Sequence, residues 1–222
     1  MTALPDPQPG ARRRIGVLGG TFDPVHVGHL RPAVEVQAAL HLDQVRLVPC
    51  HLTPHRPQPG RSSALRAELT SLAVDALAGF AVDSREMRRD APSYTVDTLA
   101  SMRAEDPEAD LYFMLGVDSL NGFDRWHRWR DILSLCHLVL MRRSGYELNA
   151  FAQSLLDECG ATADRARLNR SGCIVSLDTT ELRVSSTAIR ALLSRGQDPR
   201  YLVPDPVRNA LLERTDYQDA HD

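Results

Sequence analysis

The sequence predicts an α/β protein built on a parallel sheet, because short apolar segments alternate with helical patterns along the whole chain. Six strands are predicted from apolar runs, at residues 15–18, 45–48, 80–82, 111–115, 137–141 and 174–177. Helical patterns lie between and after these runs, at residues 28–40, 62–78, 95–104, 147–157, 185–194 and 205–214. Strands that alternate with helices indicate βαβ units. The apolar runs are continuous, which is typical of strands buried on both faces of a doubly wound sheet.

The chain length of 222 residues is sufficient for one domain with a sizeable core. We expect residues 1–13, which are rich in proline, to form a disordered leader. Residues 14–215 are then expected to form the single domain, with a helical C-terminal part, and residues 216–222 a tail. The leader lacks the apolar region of a secretory signal, and no apolar run approaches the roughly 20 residues of a membrane helix. A cytoplasmic location without membrane contact is therefore expected.

Charge and composition exclude several classes of function. The 26 basic residues against 29 acidic ones give a net charge of −3, so we expect no nucleic-acid partner. The sequence contains no lysine, which excludes a Walker A loop and a Schiff-base enzyme. Its four cysteines form no C-x-x-C pair, which excludes a zinc knuckle or a thioredoxin motif.

The first motif with a chemical meaning is GGTFDPVHVGHL, which follows the first predicted strand and opens the first predicted helix. Gly19 and Gly20 allow a phosphate to approach the backbone, and the helix start supplies free N–H groups. His26 and His29 are three residues apart, so on a helical turn both imidazoles share one face and can donate to phosphate oxygens. The glycine spacing differs from the dinucleotide-binding pattern G-x-G-x-x-G. The alternative interpretation is two incidental surface histidines near a helix start.

The second motif is VSSTAIR, just after the last predicted strand. The hydroxyls of Ser185, Ser186 and Thr187 can cap the following helix or turn toward an anion. Arg190 lies one turn further on, where its planar fork is suited to a triphosphate. Taken alone, the segment is also compatible with a plain capping sequence.

Together the two motifs resemble the signatures of the HxGH nucleotidylyltransferase superfamily, with VSSTAIR similar to ISSTxIR. The extended form with TFDP resembles the bacterial nicotinate-nucleotide adenylyltransferase family, over roughly residues 15–212. The resemblance implies a Rossmann-like fold and transfer of AMP from ATP to nicotinate mononucleotide. It also implies Mg²⁺ that is carried mainly by the ATP phosphates, and we name no protein metal ligand.

The resemblance also implies roles for individual residues. His26, His29 and Arg190 would be catalytic. ATP would be bound by Gly19, Gly20, Thr21, Phe22, His26, His29, Asp118, Ser185, Ser186, Thr187 and Arg190. Three further segments, PHRP, SYTVDTL and GVDSL followed by two tryptophans, resemble the family's acceptor elements. Nicotinate mononucleotide would be bound by Arg56, Tyr94, Thr95 and Trp126.

Within these elements, Thr95 would cap a helix and Trp126 would stack on the pyridine ring. The alternatives are a helix N-cap for Asp118 and core packing for Trp126 and Trp129. The chain departs from the family pattern at Cys50-His51, where Asn-Asn is common, and at His127, where Tyr is common.

Two other functions stay open at the level of sequence. One is an adenylyl or cytidylyl transferase that acts on nicotinamide mononucleotide, phosphopantetheine or another phosphorylated acceptor, since acceptor choice depends on loops. The other is a non-catalytic nucleotide sensor. The sequence does not indicate an oligomeric state.

Overall fold

The computed structural model describes residues 12–54, 58–142, 145–214 and 216–217. The strands are β1 (Arg14–Gly20), β2 (Gln44–Pro49), β3 (Phe80–Val82), β4 (Asp110–Gly116), β5 (His137–Arg142) and β6 (Ile174–Asp178). The α-helices are α1 (Val27–Leu40), α2 (Ser63–Val74), α3 (Thr95–Glu105), α4 (Val117–Asn121), α5 (Trp129–Leu135), α6 (Ala150–Cys159), α7 (Ala163–Arg167), α8 (Ser186–Leu193) and α9 (Asp205–Leu212). Short 3₁₀ helices lie at Arg85–Arg88 and Phe123–Arg125.

The six strands form one sheet in the order β3-β2-β1-β4-β5-β6. The pairs β1–β4, β4–β5 and β5–β6 are parallel. The N–H of Asp43 donates to the carbonyl of Arg14, and that of Cys50 to Gly20, so β2 also runs parallel to β1. The predicted α/β fold with a doubly wound parallel sheet is therefore confirmed. The strand order reverses at β1 and β4, and open α/β sheets bind ligands beyond the carboxyl ends of strands at such a switch point.

The described residues form two compact units. The first unit takes its residues from Met1–Gly19, Pro32–Arg46 and Tyr94–Glu181. It holds most of the sheet, and its core is made of fully buried apolar side chains such as Val17, Leu99, Leu111 and Leu138. The second unit takes its residues from Gly20–Arg31, Leu47–Ser93 and Leu182–Asp222. In that unit α9 packs against α2, and fully buried side chains include Val25, Leu69, Val207 and Leu211.

All six predicted strands and all six predicted helices are present, with small differences at their ends. Helix α6 begins at Ala150 rather than 147, because the side chain of Asn149 caps it by accepting from the N–H of Ala152 at 2.8 Å. The sequence analysis missed α4, α5 and α7, which have five, seven and five residues. Elements this short span at most two helical turns, so the periodicity of apolar residues gives almost no signal.

The predicted leader, residues 1–13, lies outside the described residues except for 12 and 13, after which β1 begins. The described part of the chain contains no helix that is both long enough and apolar enough to cross a membrane.

Candidate active site

The loop between β1 and α1 places the first motif, apart from Gly19, in the second unit. Phe22 in this loop is buried and has a positive φ of 49°, so the chain turns sharply after Gly20 and Thr21. A Cβ atom on Gly20 would lie 2.8 Å from the Phe22 ring, whereas a Cβ on Gly19 would make only an ordinary contact with Phe113. Gly20 is therefore needed for the packing of this loop itself, in addition to any role in phosphate approach.

His26 and His29 lie against each other at the start of α1. Their rings are stacked, with centroids 3.7 Å apart and planes inclined by 24°. The expectation that the two imidazoles share a face is therefore confirmed. A Cβ atom on Gly28 would come within 3.0 Å of the His26 ring, so the glycine between the two histidines leaves room for the first of them.

The hydrogen bond of His29 defines which of its nitrogens can donate. Its Nδ1 accepts from the backbone N–H of His26 at 3.3 Å. A nitrogen that accepts carries no proton, so the neutral imidazole of His29 has its proton on Nε2. The Phe22 ring stands edge-on to His29 with centroids 5.1 Å apart, which limits the orientations of that imidazole. His29 is thus held as an Nε2–H donor.

Helix α8 brings the second motif to the same loop, within the second unit. Ser185 caps the helix by accepting from the N–H of Ala188 at 3.1 Å. The hydroxyl of Ser186 donates to the carbonyl of Pro24 at 2.9 Å. Arg190 donates from Nη1 to the carbonyl of Asp23 at 3.0 Å, and the same nitrogen lies 3.8 Å from the Asp23 carboxylate. The segment that precedes His26 is therefore tied to α8 by two side chains of the SSTAIR motif.

Thr187, the third hydroxyl of that motif, is exposed at the start of α8. The three hydroxyls consequently have different environments, since Ser185 caps the helix, Ser186 bonds to the loop, and Thr187 faces solvent. Helix α8 has eight residues, and its capped start lies beside the loop that carries the two imidazoles. The helix start and the imidazoles together provide several N–H donors in one region of the second unit.

Two residues of the second unit support this loop and were missed by the sequence analysis. The buried Arg66 of α2 donates to the backbone carbonyls of Thr21 and Cys50. The buried Tyr217 donates to the Asp23 carboxylate at 2.8 Å. The position of Arg66 could have been noticed in the sequence, because Arg66 lies on the same face of α2 as the apolar residues. A charged side chain on a buried face needs buried hydrogen-bond partners. Tyr217 offered no such signal, since it falls in the predicted tail.

Three of the four predicted acceptor residues, Tyr94, Thr95 and Trp126, belong to the first unit. The N-cap of α3 is Tyr94, with no side-chain cap hydrogen bond, and Thr95 is the first helical residue. The expectation that Thr95 caps this helix was therefore wrong. The carbonyl of Tyr94 accepts the N–H groups of Asp97 and Thr98, which closes the first turn. The Tyr94 ring lies against the imidazole of His127, with centroids 4.3 Å apart.

Trp126 and Trp129 have different aromatic surroundings in the first unit. Trp126 is half-buried and has the Phe113 ring edge-on at 5.9 Å and the Phe123 ring at 5.3 Å. Trp129 lies between Phe123 and Phe151, with centroid distances of 5.8 and 5.4 Å. Trp126 thus combines a fixed position with partial exposure, as a stacking residue requires.

Asp118 and Arg56 complete the set of predicted site residues. Asp118 is exposed in the first turn of α4, after β4, and the N-cap of that helix is Gly116. The alternative interpretation of Asp118 as the N-cap is therefore excluded. Arg56 lies outside the described residues, as do His55 and Pro57.

The position of Cys50 and His51, where the chain departs from the family pattern, is well defined at the end of β2. The backbone N–H of His51 donates to the hydroxyl of Ser93, and its Nδ1 lies 2.8 Å from the hydroxyl of Ser63. Burial raises the pKa of the Cys50 thiol, and the nearby Glu86 adds to this effect, so the thiol is protonated and a poor nucleophile.

Comparison with known proteins agrees with these features. The profile of the family described as Cytidylyltransferase-like matches residues 17–192. A protein of Cellvibrio japonicus named "Probable nicotinate-nucleotide adenylyltransferase" is 46% identical over 199 residues, which cover 88% of this chain and 94% of that protein. A protein of Aeromonas hydrophila with the same name is 45% identical over 210 residues, which cover 93% of this chain and 98% of that protein.

A solved structure shares the fold at much lower identity. It is described as Plasmodium falciparum nicotinic acid mononucleotide adenylyltransferase complexed with NaAD. The TM-score is 0.70 and the identity 13%, and the alignment covers 93% of this chain and 98% of that one.

Proposed function

Because the chain belongs to the nicotinate-nucleotide adenylyltransferase family, within the cytidylyltransferase-like group, we propose that it transfers AMP from ATP to nicotinate mononucleotide. The products are nicotinate adenine dinucleotide and pyrophosphate. One observation of the structure carries the proposal. One short loop of the second unit leads to the stacked rings of His26 and His29, and the same loop accepts a hydrogen bond from Arg190 through the carbonyl of Asp23. Imidazole and guanidinium donors in this arrangement are suited to the phosphates of a nucleoside triphosphate.

The reaction is an in-line displacement at phosphorus and needs no covalent enzyme intermediate. A 5′-phosphate oxygen of nicotinate mononucleotide attacks the α-phosphorus of ATP, and the bond from that phosphorus to the β-phosphate bridging oxygen breaks. The electron pair of this bond leaves with pyrophosphate. Catalysis of such a transfer consists mainly of positioning the reactants and stabilising the charge that develops on phosphate oxygens.

In this mechanism the residues of the two motifs have distinct tasks. His29 donates from Nε2 to a non-bridging phosphate oxygen, and the stacked His26 donates to a second oxygen. Arg190 holds the leaving pyrophosphate with its planar fork, together with the N–H groups at the start of α8. These donors gain strength as negative charge moves toward the leaving group, so they stabilise the transition state more than bound ATP.

ATP enters this mechanism as its Mg²⁺ complex, so the metal arrives with the substrate. Among the described residues, no three His, Cys, Asp or Glu side chains form a cluster able to hold a metal ion. The buried Asp23 accepts from Tyr217 and lies beside Arg190, so its oxygens are already engaged. We propose that phosphate oxygens and water hold the ion, in keeping with the preference of Mg²⁺ for retaining several waters.

Recognition of nicotinate is assigned to the first unit. The start of α3 at Thr95 provides backbone N–H groups and a dipole that favours a carboxylate, and Trp126 provides a stacking face. A site built from donors discriminates against the amide of nicotinamide, whose NH₂ group presents hydrogens to them. Arg56, Gly19 and Asp118 keep their predicted roles in substrate binding, and a cytoplasmic location stays a prediction.

The proposal is tested with ATP, Mg²⁺ and each of two acceptors, nicotinate mononucleotide and nicotinamide mononucleotide, with the products identified by mass. We expect release of pyrophosphate and a kcat/KM at least about tenfold higher for nicotinate mononucleotide. Equal kcat/KM values for the two acceptors would remove the nicotinate assignment while leaving adenylyl transfer in place. Binding of ATP without release of its pyrophosphate in the presence of either acceptor would indicate a nucleotide sensor.

A further inference from the structure

The side chain of Tyr217, near the C-terminus, is completely buried in the second unit. Its hydroxyl donates to Oδ1 of Asp23 at 2.8 Å. Arg61 fixes the same segment, since its guanidinium lies 4.8 Å from the centre of the Tyr217 ring and its Nε donates to the carbonyl of Asp216 at 3.1 Å. Asp216 and Tyr217 are therefore anchored beside the loop that carries the first motif.

The direction of the hydrogen bond between Tyr217 and Asp23 is unambiguous. Burial raises the pKa of Tyr217, and the negative charge of Asp23 raises it further, so the phenol keeps its proton at every pH used in an assay. The hydroxyl therefore donates and the carboxylate accepts. A buried hydrogen bond to an ionised group is stronger than one between neutral groups, and it fixes the orientation of both partners.

Asp23 connects this hydrogen bond to Arg190. Oδ1 of Asp23 accepts from Tyr217, and Oδ2 lies 3.8 Å from Nη1 of Arg190, which also donates to the Asp23 carbonyl. A carboxylate is planar, so holding one oxygen determines where the other one lies. Without the phenol, Oδ1 is released and the carboxylate can rotate to form a bidentate pair with the guanidinium, which would draw the fork toward the loop.

We propose that Tyr217 is a positioning residue for adenylyl transfer, which acts through Asp23 to hold Arg190 in the orientation that receives the leaving pyrophosphate. This inference rests on the role assigned to Arg190 in the proposed function. It gives Tyr217 a function in the reaction, in addition to its contribution to the packing of the second unit.

The first test is the substitution Tyr217→Phe, which removes one oxygen and keeps the ring under Arg61. We expect kcat to fall about 10-fold to 100-fold, since small displacements of a positioning group have effects of this size. The KM for nicotinate mononucleotide should stay within about twofold of the wild-type value, because the acceptor residues Tyr94, Thr95 and Trp126 are in the other unit. Tyr112→Phe is the matched control, since Tyr112 is also buried but lies on β4 in the first unit.

A double-mutant cycle with Arg190→Ala separates positioning from general destabilisation. If Tyr217 acts through Arg190, Tyr217→Phe changes kcat little in the Arg190→Ala background. The same cycle is measured for affinity toward inorganic pyrophosphate, which needs no acceptor substrate. We expect Tyr217→Phe to weaken pyrophosphate binding in the wild-type background and to leave it unchanged in Arg190→Ala.

Either of two outcomes overturns the inference. In the first, Tyr217→Phe has the same kcat and the same affinity for pyrophosphate as the wild type and Tyr112→Phe. The other is a loss that persists undiminished in the Arg190→Ala background. Failure of the proposed function is recognised separately. In that case the wild-type chain transfers no AMP to nicotinate mononucleotide, and the pyrophosphate titrations still decide the role of Tyr217.

Discussion

Replacing Arg66 by methionine tests whether a buried guanidinium stabilises the loop that carries the catalytic histidines. The Arg66 side chain is 1% exposed and donates to the carbonyls of Thr21, Cys50 at 2.7 Å and, more weakly, Arg61 at 3.3 Å. A hydrogen bond to a charged group is worth about 1.5–3 kcal/mol, so the two stronger bonds contribute about 3–6 kcal/mol. Methionine fills much of the volume and removes the cost of burying a charge. We therefore expect a net loss of about 2–4 kcal/mol.

This loss is a large part of the roughly 5–15 kcal/mol that stabilises a domain, so it is readily measured by urea unfolding at 25 °C. Arg195→Met is the matched control, since the Arg195 side chain is exposed and donates to the side chain of Gln197 rather than to buried carbonyls. We expect the control to lie within about 0.5 kcal/mol of the wild type. The stability of Arg66→Lys should lie between those of Arg66→Met and Arg195→Met. A single ammonium cannot reach several carbonyls at once, as the planar fork of arginine does.

We also expect Arg66→Met to lose activity under conditions in which the variant is still folded, because Thr21 precedes the turn that leads to His26. If the free energy of unfolding of Arg66→Met lies within about 1 kcal/mol of the wild-type value, with an unchanged dependence on urea, Arg66 does not stabilise this loop through the two carbonyls.

Three further predictions concern histidines and Arg190. His29→Ala should lower kcat about 10²–10³-fold with little change in melting temperature, and near-normal turnover would remove His29 from the mechanism. Arg190→Lys should raise the KM for ATP and lower kcat more than it alters the KM for nicotinate mononucleotide, since a point charge does not replace a fork; unchanged kinetics would contradict this. Burial lowers the pKa of His137, and its Nδ1 accepts from the N–H of Cys173. At a pH below about 6.5 the unfolded chain therefore binds a proton that the folded chain does not. The free energy of unfolding should consequently fall as the pH drops below this value. Urea unfolding between pH 5 and 8 should show a weaker pH dependence in His137→Asn than in the wild type, and equal slopes would disprove the assignment.

The strands and longer helices could be predicted because their signals are local. Val17 and Leu111 belong to continuous apolar runs, and such runs are typical of strands that are buried on both faces. The spacing of His26 and His29 likewise predicted that their imidazoles share a face, which the stacked rings confirm. Short helices such as α4 were missed because five residues carry too little periodicity.

Some details of the candidate site depended on backbone geometry that composition does not encode. Thr95 has the residue type of a helix cap, yet α3 takes Tyr94 as its N-cap and Thr95 becomes the first helical residue. Gly20 was expected to serve phosphate approach, and the structure adds that it makes room for the Phe22 ring. Both details follow from dihedral angles that are set by the packing of neighbouring elements.

The sequence by itself determined the α/β class, the two phosphate-binding motifs and their resemblance to a family, because each depends on residues close together in the chain. Only the tertiary structure decided that Arg190 is held by Asp23, that Arg66 supports the same loop, and that the side chain of Tyr217 is buried beside Asp23. Arg190 is 167 positions from Asp23 along the chain, and Tyr217 is 194 positions from it. Contacts across such separations arise from the packing of whole elements, for which the residue types near either partner give no local signal.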